Sequence, residues 1–282
     1  MTHPNNFFIS KATRGWLTTE TKSPKGQLDR QSRKLLQPAI NHCKAKHPGG
    51  LVHSLATDMG VTPELAKMAG ICAELFYAAC SFTDDLQDND ARKYMGEVSL
   101  SLLINTQAHL FALSGAAANF YQKKLQDKYS SVSTKCKTSD NLNLCGFLFQ
   151  TSSQMLNGQY YELQHENWNP DIYIKVAYLS SGKQFSYYLL LALYPNLLDP
   201  DKKFHCNELH NWLKWSEYYG IGLQITTDYK TQDPRLLDFT EAELEIIVAE
   251  TQKQLEATQM LLDYDFKSLL SELYSVFSRI CS

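Results

Sequence analysis

Phe82-Thr83-Asp84-Asp85-Leu86-Gln87-Asp88-Asn89-Asp90 closes a long apolar segment running from Leu65 to Phe82. Upstream, Thr62-Pro63-Glu64 is a helix start: a hydroxyl N-cap, proline at the first helical position, then an acid. From Pro63 to the aspartates the pattern meets no breaker, which predicts a single helix of about 25 residues and about 40 Å. Its far end carries four carboxylates in seven residues. Asp84 and Asp88 are one turn apart on one face, and Asp85 is within reach of Asp88. Acids at a helix C-terminus oppose the macrodipole and repel one another. Bound cations remove both penalties. A solvated acidic helix end is the plain alternative. The spacing suits Mg²⁺, which takes one or two carboxylates and leaves positions for water and substrate phosphates.

The rest of the chain is also helical in pattern. Gly and Pro number 13 and 9 in 282 residues, roughly two-thirds of the usual share, so few residues can build turns. Val- and Thr-rich alternation is scarce. Helical stretches are expected at Leu28 to Lys46 (ended by His47-Pro48-Gly49-Gly50), Val98 to Gln126, Leu144 to His165, Tyr173 to Leu193 and Glu208 to Tyr229. A last one starts at the capping box Thr240-Glu241-Ala242-Glu243 and has a break near Asp263. Residues 1–25 read as a polar N-terminal arm. Lys128 to Asn143, rich in Ser, Thr and Lys, reads as an exposed connection. The expectation is one all-α domain over residues 26–282, a bundle of long helices around a central apolar cavity.

Composition narrows the functional classes. Net charge is −3 and no basic stripe with interleaved aromatics appears, which argues against nucleic acid. The seven cysteines are scattered without a Cys-x-x-Cys, and the N-terminus lacks a secretion-signal pattern. A cytoplasmic protein with reduced thiols is expected. The longest apolar run, Phe185 to Leu198, is short and interrupted by Pro195, so it reads as a core helix and not as a transmembrane segment. His42-Cys43 with His47, and His205-Cys206 with His210, contain zinc-ligand types. Their intervals match no familiar zinc site, and helix-end histidines are the plainer account.

Three further segments carry polar groups on otherwise apolar helices. Asn157-Gly158-Gln159-Tyr160-Tyr161-Glu162 offers an amide and a carboxylate, and Ser181-Gly182-Lys183-Gln184 offers a lone lysine. Gly220-Ile221-Gly222-Leu223-Gln224-Ile225-Thr226-Thr227-Asp228 brings a carboxylate to a hydrophobic helix end. Each alone has an ordinary reading: a surface amide, a snorkelling lysine, a helix terminus.

In order and spacing these elements resemble the trans-isoprenyl diphosphate synthase superfamily, the all-α fold of polyprenyl synthases and class I terpene cyclases, from about Ala66 to Asp233. Glu74 with Asp84-Asp85-x-x-Asp88 looks like its first aspartate-rich motif, and Gly158-Gln159 like its Gly-Gln helix. Lys183 resembles its diphosphate-binding lysine. Leu223-Gln224-Ile225 precedes what would be its second aspartate-rich motif, of which Asp228 alone stays in register. The departures fall on the acceptor side. The Gly-Gly-Lys-Arg-x-Arg-Pro segment that holds isopentenyl diphosphate is reduced to Ser32-Arg33-Lys34-Leu35-Leu36-Gln37-Pro38. Arg92-Lys93-Tyr94-Met95-Gly96 is out of step with the family's Arg-Arg-Gly, and Ile104-Asn105 stands where synthases have Gly-Asp.

A kept donor half and a reduced acceptor half are similar to two branches. One is the bacterial pheromone-modifying isoprenyltransferases, which prenylate a peptide tryptophan. The other is synthase-derived terpene synthases. The resemblance implies a Mg²⁺-dependent isoprenyl transferase acting on an allylic prenyl diphosphate, farnesyl or longer. Its acceptor would be a peptide or small molecule and not of necessity a diphosphate. A terpene synthase on one substrate is the alternative, and a non-catalytic subunit of a prenyl synthase a further one; missing arginines disfavour ordinary elongation. By the same resemblance Asp84, Asp85, Asp88 and Asp228 hold metal, and Lys183 with Arg92 or Lys93 meets the diphosphate. Gln159 and Gln224 steer the metal site. Ala79 and Cys80, both small, set chain length. Tyr77, Phe111, Phe149 and Tyr187 are candidate pocket walls, and a homodimer is implied.

Overall fold

The computed structural model describes residues 11–16, 30–42, 48–129, 143–165, 167–199, 201–202, 206–262, 264 and 266–281. Among them every regular element is helical: α1 (11–16), α2 (Arg30–His42), α3 (Pro48–Asp58), α4 (Pro63–Gln87), α5 (Arg92–Met95), α6 (Leu100–Tyr129), α7 (Leu144–Gln164), α8 (Pro170–Ala177), a π turn (Tyr178–Gly182), α9 (Lys183–Leu198), α10 (Cys206–Thr231), α11 (Pro234–Leu237), α12 (Glu241–Gln259) and α13 (Lys267–Ile280). The described helices group into two compact units. The first holds residues 1–148 and 191–202, the second 149–190 and 203–282.

In the first unit α4 is the central helix, packed against α3 and α6. It starts at Pro63 as the sequence predicts, with Thr62 extended and Glu64 in the first turn. It stops where Asn89 turns left-handed at φ 63°, a conformation asparagine tolerates better than most residues. Ile71, Leu75, Phe76 and Phe82 are shut from solvent, each burial contributing about 1.5–3 kcal/mol. Small buried residues on α4 (Ala66, Ala69, Ala73) and α6 (Ser114, Ala117, Ala118) permit close helix approach. By length and composition α4 could cross a membrane, yet 78% of that apolar stretch is buried within the fold.

The expected N-terminal arm is partly structured: Thr13 in α1 is fully buried, and its Oγ1 donates to Glu74 Oε2 on α4 at 2.9 Å. Where His47-Pro48-Gly49-Gly50 reads as a helix end, α3 begins instead, with Pro48 in its first turn. Proline at that position costs no hydrogen bond. The expected connection from 128 to 143 is described only at its ends.

α9 continues past Pro195 to Leu198. A proline within a helix removes the hydrogen bond to the carbonyl four residues earlier, here that of Leu191. The buried Tyr121 hydroxyl donates to that carbonyl at 3.2 Å, so the orphan acceptor is satisfied from α6. Tyr121→Phe is expected to lower stability by about 1–3 kcal/mol, the cost of a buried unsatisfied carbonyl. Urea unfolding with an unchanged m-value measures it, and no loss would show that Leu191 has another donor.

In the second unit α10 is the axis, packed by α8, the π turn, α12 and α13. The expected helix Tyr173 to Leu193 is divided by the π turn. The cause is packing: an ideal Cβ on Gly220 of α10 would stand 2.4 Å from the Ser181 carbonyl oxygen, and one on Gly182 3.0 Å from that of Glu217. The two backbones touch. Trp212, Trp215, Tyr219 and Phe266 form an aromatic cluster, Trp215 stacking on Phe266 at 3.8 Å. The capping box at Thr240 and Glu243 forms as read.

Candidate active site

In the first unit, the candidate residues lie on one face of α4. Between Met68 and Thr83 every side chain is buried except Tyr77, Cys80 and Ser81. At 100° per residue these three share a face with Asp84 and Asp88, both exposed. Ala79, expected beside Cys80 as a chain-length residue, is fully buried and lies about 140° round the helix from Asp84. Cys80, not Ala79, shares the aspartate face. Gln107 Nε2 donates to Thr83 Oγ1 at 2.9 Å, fastening α6 to α4 one residue before the acidic run. Phe111 on α6 is half-buried.

Asp85 is held from outside the run. Tyr94 OH on α5 donates to its Oδ2 at 2.7 Å, and His42 Nε2 stands 3.8 Å from the same oxygen. The His42 ring stacks on Tyr94 with centroids 3.8 Å apart. Sequence reasoning passed over Tyr94 and gave His42 a different context; Tyr94 is nine residues from Asp85, too far for helix periodicity to signal. Arg92 and Lys93, on the same short helix, are exposed, and Lys93 pairs with Asp90 at 2.6 Å. Cys43, His47 and His205 of the zinc-type constellation lie outside the described residues.

The candidate residues of the second unit have different surroundings. Asp228 is 3% exposed; Tyr173 OH donates to its Oδ2 at 2.7 Å and Gln224 Nε2 to its Oδ1 at 2.8 Å. Gln224 Oε1 in turn accepts from Ser181 Oγ in the π turn at 2.5 Å. Burial raises the Asp228 carboxyl above its ordinary range, against the nearby Arg235 charge and these two hydrogen bonds. Lys183 donates to Glu217 Oε1 at 2.5 Å and lies over the Tyr178 ring at 4.4 Å. Burial pulls its ammonium down, but the Glu217 and Tyr178 contacts outweigh this and hold it above its ordinary value. Gln159 is half-buried on α7, Tyr187 is buried, and Phe149 is 54% exposed. Tyr173, Glu217 and Arg235 gave no sequence signal beyond Asp233-Pro234-Arg235, an N-cap followed by proline, which the structure shows as the start of α11.

A divalent cation fits Asp84 and Asp88 better than Asp228. Among the described residues no three His, Cys, Asp or Glu side chains form a metal cage by themselves. Mg²⁺ needs only one or two carboxylates when phosphate and water complete its shell, and Asp84 and Asp88, both exposed, could supply those. At Asp228 both oxygens already have partners.

No family model matches the chain, and no curated protein matches it significantly. Solved structures do. The chain is similar to a geranyltranstransferase from Thermotoga maritima over 99% of its own length and 94% of that chain, at 16% identity and TM-score 0.61. It resembles a geranylgeranyl pyrophosphate synthetase from the archaeon Geoglobus acetivorans over 99% of both chains, at 14% identity and TM-score 0.59. An isoprenoid synthase family member from Thermotoga neapolitana aligns over 97% of this chain and 94% of its own, at 16% and 0.58. The class is therefore all-α, and the particular architecture is the isoprenoid synthase fold.

Proposed function

We propose that this protein is a Mg²⁺-dependent isoprenyl transferase that ionises an allylic prenyl diphosphate, farnesyl or longer, and passes the prenyl group to an acceptor that need not be a diphosphate. The observation that carries this reading is the open face of α4. Between Met68 and Thr83 the helix is buried except for a half-buried strip of Tyr77, Cys80 and Ser81, which leads to the exposed Asp84 and Asp88. A prenyl chain suits the strip, and its charged head suits the aspartates. The solved structures of the same fold, whose own names are those of prenyl diphosphate enzymes, support it.

Asp84 and Asp88 would hold Mg²⁺, with Asp85 in support through its Tyr94 anchor. Asp228 is left out of that set because its oxygens are engaged. Bound Mg²⁺ supplies Lewis-acid neutralisation of the departing diphosphate. Breaking the allylic C–O bond sends its electron pair to the diphosphate. Cations placed where that charge grows lower the barrier; Arg92 and Lys93 on α5 would do so, as would Lys183 in exchange for Glu217. The carbocation must meet its acceptor before water does, which an apolar, aromatic lining provides; Tyr77, Phe111 and Tyr187 are the candidates. The scattered cysteines, with no Cys-x-x-Cys, suit a reducing cytoplasm.

Incubation with Mg²⁺ and geranyl, farnesyl or geranylgeranyl diphosphate, with and without isopentenyl diphosphate or a tryptophan peptide, tests the reading. Pyrophosphate release that requires a non-diphosphate acceptor is expected. A hydrocarbon or alcohol from one substrate means a terpene synthase, a longer diphosphate means elongation, and inertness in every mixture sinks the enzyme reading. Cys80→Phe should disfavour the longer donors by about 10-fold or more, since a filled pocket discriminates by roughly 1–3 kcal/mol per methylene. Unaltered donor preference would remove Cys80 from the pocket.

The active form is proposed to be a homodimer. On α7, Phe149, Leu156 and Leu163 recur every seven residues with Tyr160 beside them, and all four are 47–61% exposed. That spacing suits packing against a partner helix. Sedimentation should give a dimer that Leu156→Glu dissociates; a monomeric native protein refutes it.

A further inference from the structure

Arg235 stands among more negative charge than one cation neutralises. Its Nε donates to Asp233 Oδ1 at 2.8 Å and its Nη2 to Oδ2 at 2.9 Å. Its Nη1 pairs with Glu162, and its Nη2 lies 3.5 Å from Asp228 Oδ2. Three carboxylates thus share one guanidinium whose side chain is 19% exposed. Burial pulls the guanidinium down, and the bonds to Asp233 with the charges of Asp228 and Glu162 hold it above its ordinary value.

A carboxylate that binds Mg²⁺ must offer an oxygen lone pair at about 2.0–2.1 Å. Asp228 has both oxygens engaged, by Gln224 on Oδ1 and by Tyr173 and the guanidinium on Oδ2, and is 3% exposed, so only one lone pair on Oδ1 is left and water has little access to it. A resident cation 3.5 Å away repels a dication. Arginine's planar fork suits carboxylates spread around it. No three acidic side chains among the described residues are placed for one shared ion. The hydrogen bonds run from Ser181 in the π turn through Gln224 and Asp228 on α10 to Tyr173 on α8, while Arg235 on α11 reaches Glu162 on α7. Five elements of the second unit meet in this network.

We infer that Arg235 takes the place of a metal ion beside Asp228, so that the aspartate which resembles a second metal motif is a structural latch and Mg²⁺ enters only at Asp84 and Asp88. The metal half of this inference rests on the proposed function; the latch does not. Both are tested on the full chain. Equilibrium dialysis with Mn²⁺ and the non-ionising analogue farnesyl thiodiphosphate counts ions per chain for the native protein, Asp88→Asn and Asp228→Asn. Thermal unfolding in EDTA compares Asp228→Asn, Arg235→Gln and the double variant.

Asp228→Asn should bind as many Mn²⁺ ions as the native protein, with affinity within about twofold, while Asp88→Asn loses about tenfold or more. In EDTA each single variant should melt several degrees lower, and the double variant less than the sum, because coupled partners are non-additive. Loss of a Mn²⁺ ion from Asp228→Asn at a temperature where circular dichroism shows it folded overturns the inference. So does an Asp228→Asn melting point equal to the native one. Native protein that takes up no Mn²⁺ refutes the proposed function, and the melting cycle then still decides the latch.

Discussion

Replacing Asp84 and Asp88 together by asparagine is expected to cut pyrophosphate release from the preferred prenyl diphosphate by about 10²–10³-fold or more. Removing one preorganised group that stabilises transition-state charge costs roughly that much, and here two that hold the metal are lost. Asparagine keeps the shape and removes the charge. Both side chains are exposed at the end of α4, where like charges repel and oppose the helix dipole. Stability should therefore hold or rise slightly in the absence of metal. A variant that is folded, unchanged in melting temperature and inactive assigns the loss to the site. A variant that turns over normally removes the acidic run from the chemistry.

The largest effect on stability is expected at Gly220. A methyl group there would meet the Ser181 carbonyl oxygen at 2.4 Å and the Gly182 Cα at 2.9 Å, both of them backbone atoms. No rotamer change relieves a clash with backbone, so α10 and the π turn must separate. Overpacking of this kind costs about 1–3 kcal/mol, occasionally more; the gain in helix propensity from glycine to alanine is about 1 kcal/mol. We expect Gly220→Ala to destabilise by about 2 kcal/mol net. Separation of these two elements also strains the Ser181 to Gln224 hydrogen bond, so the latch around Asp228 should loosen with it. Chemical denaturation gives the value. A stabilised variant would mean that the backbone contact is looser than described.

The helices were legible where local rules decide them. Pro63 and Glu64 open α4, and Thr240 with Glu243 opens α12, because caps act within a few residues. The start of α3 at Pro48 was hidden: Gly49 and Gly50 signal termination, and their place inside a first turn is set by burial of that segment. The π turn was hidden for a related reason. It answers to Gly220, some forty positions downstream, and no local pattern carries that contact. Pro195 looked like an interruption, yet Tyr121 on α6 supplies the missing partner.

The candidate site divides the same way. Helix period alone places Asp84 and Asp88 on one face and turns Ala79 away from it, although the family resemblance had suggested Ala79 and Cys80 alike. Asp228 and Lys183 were found as lone charges on apolar helices. Tyr173 and Glu217, their partners, are 55 and 34 residues away, and Arg235, though close to Asp228 in sequence, sits on the separate helix α11, so only tertiary packing shows that both charges are already answered.

Phosphorus resonance of farnesyl thiodiphosphate bound to the protein, recorded with and without Mn²⁺, addresses the central claim most directly. Paramagnetic broadening of both phosphorus signals that disappears in Asp84→Asn/Asp88→Asn is the predicted result. Sharp signals in the native protein, or broadening that survives the double substitution, would contradict it.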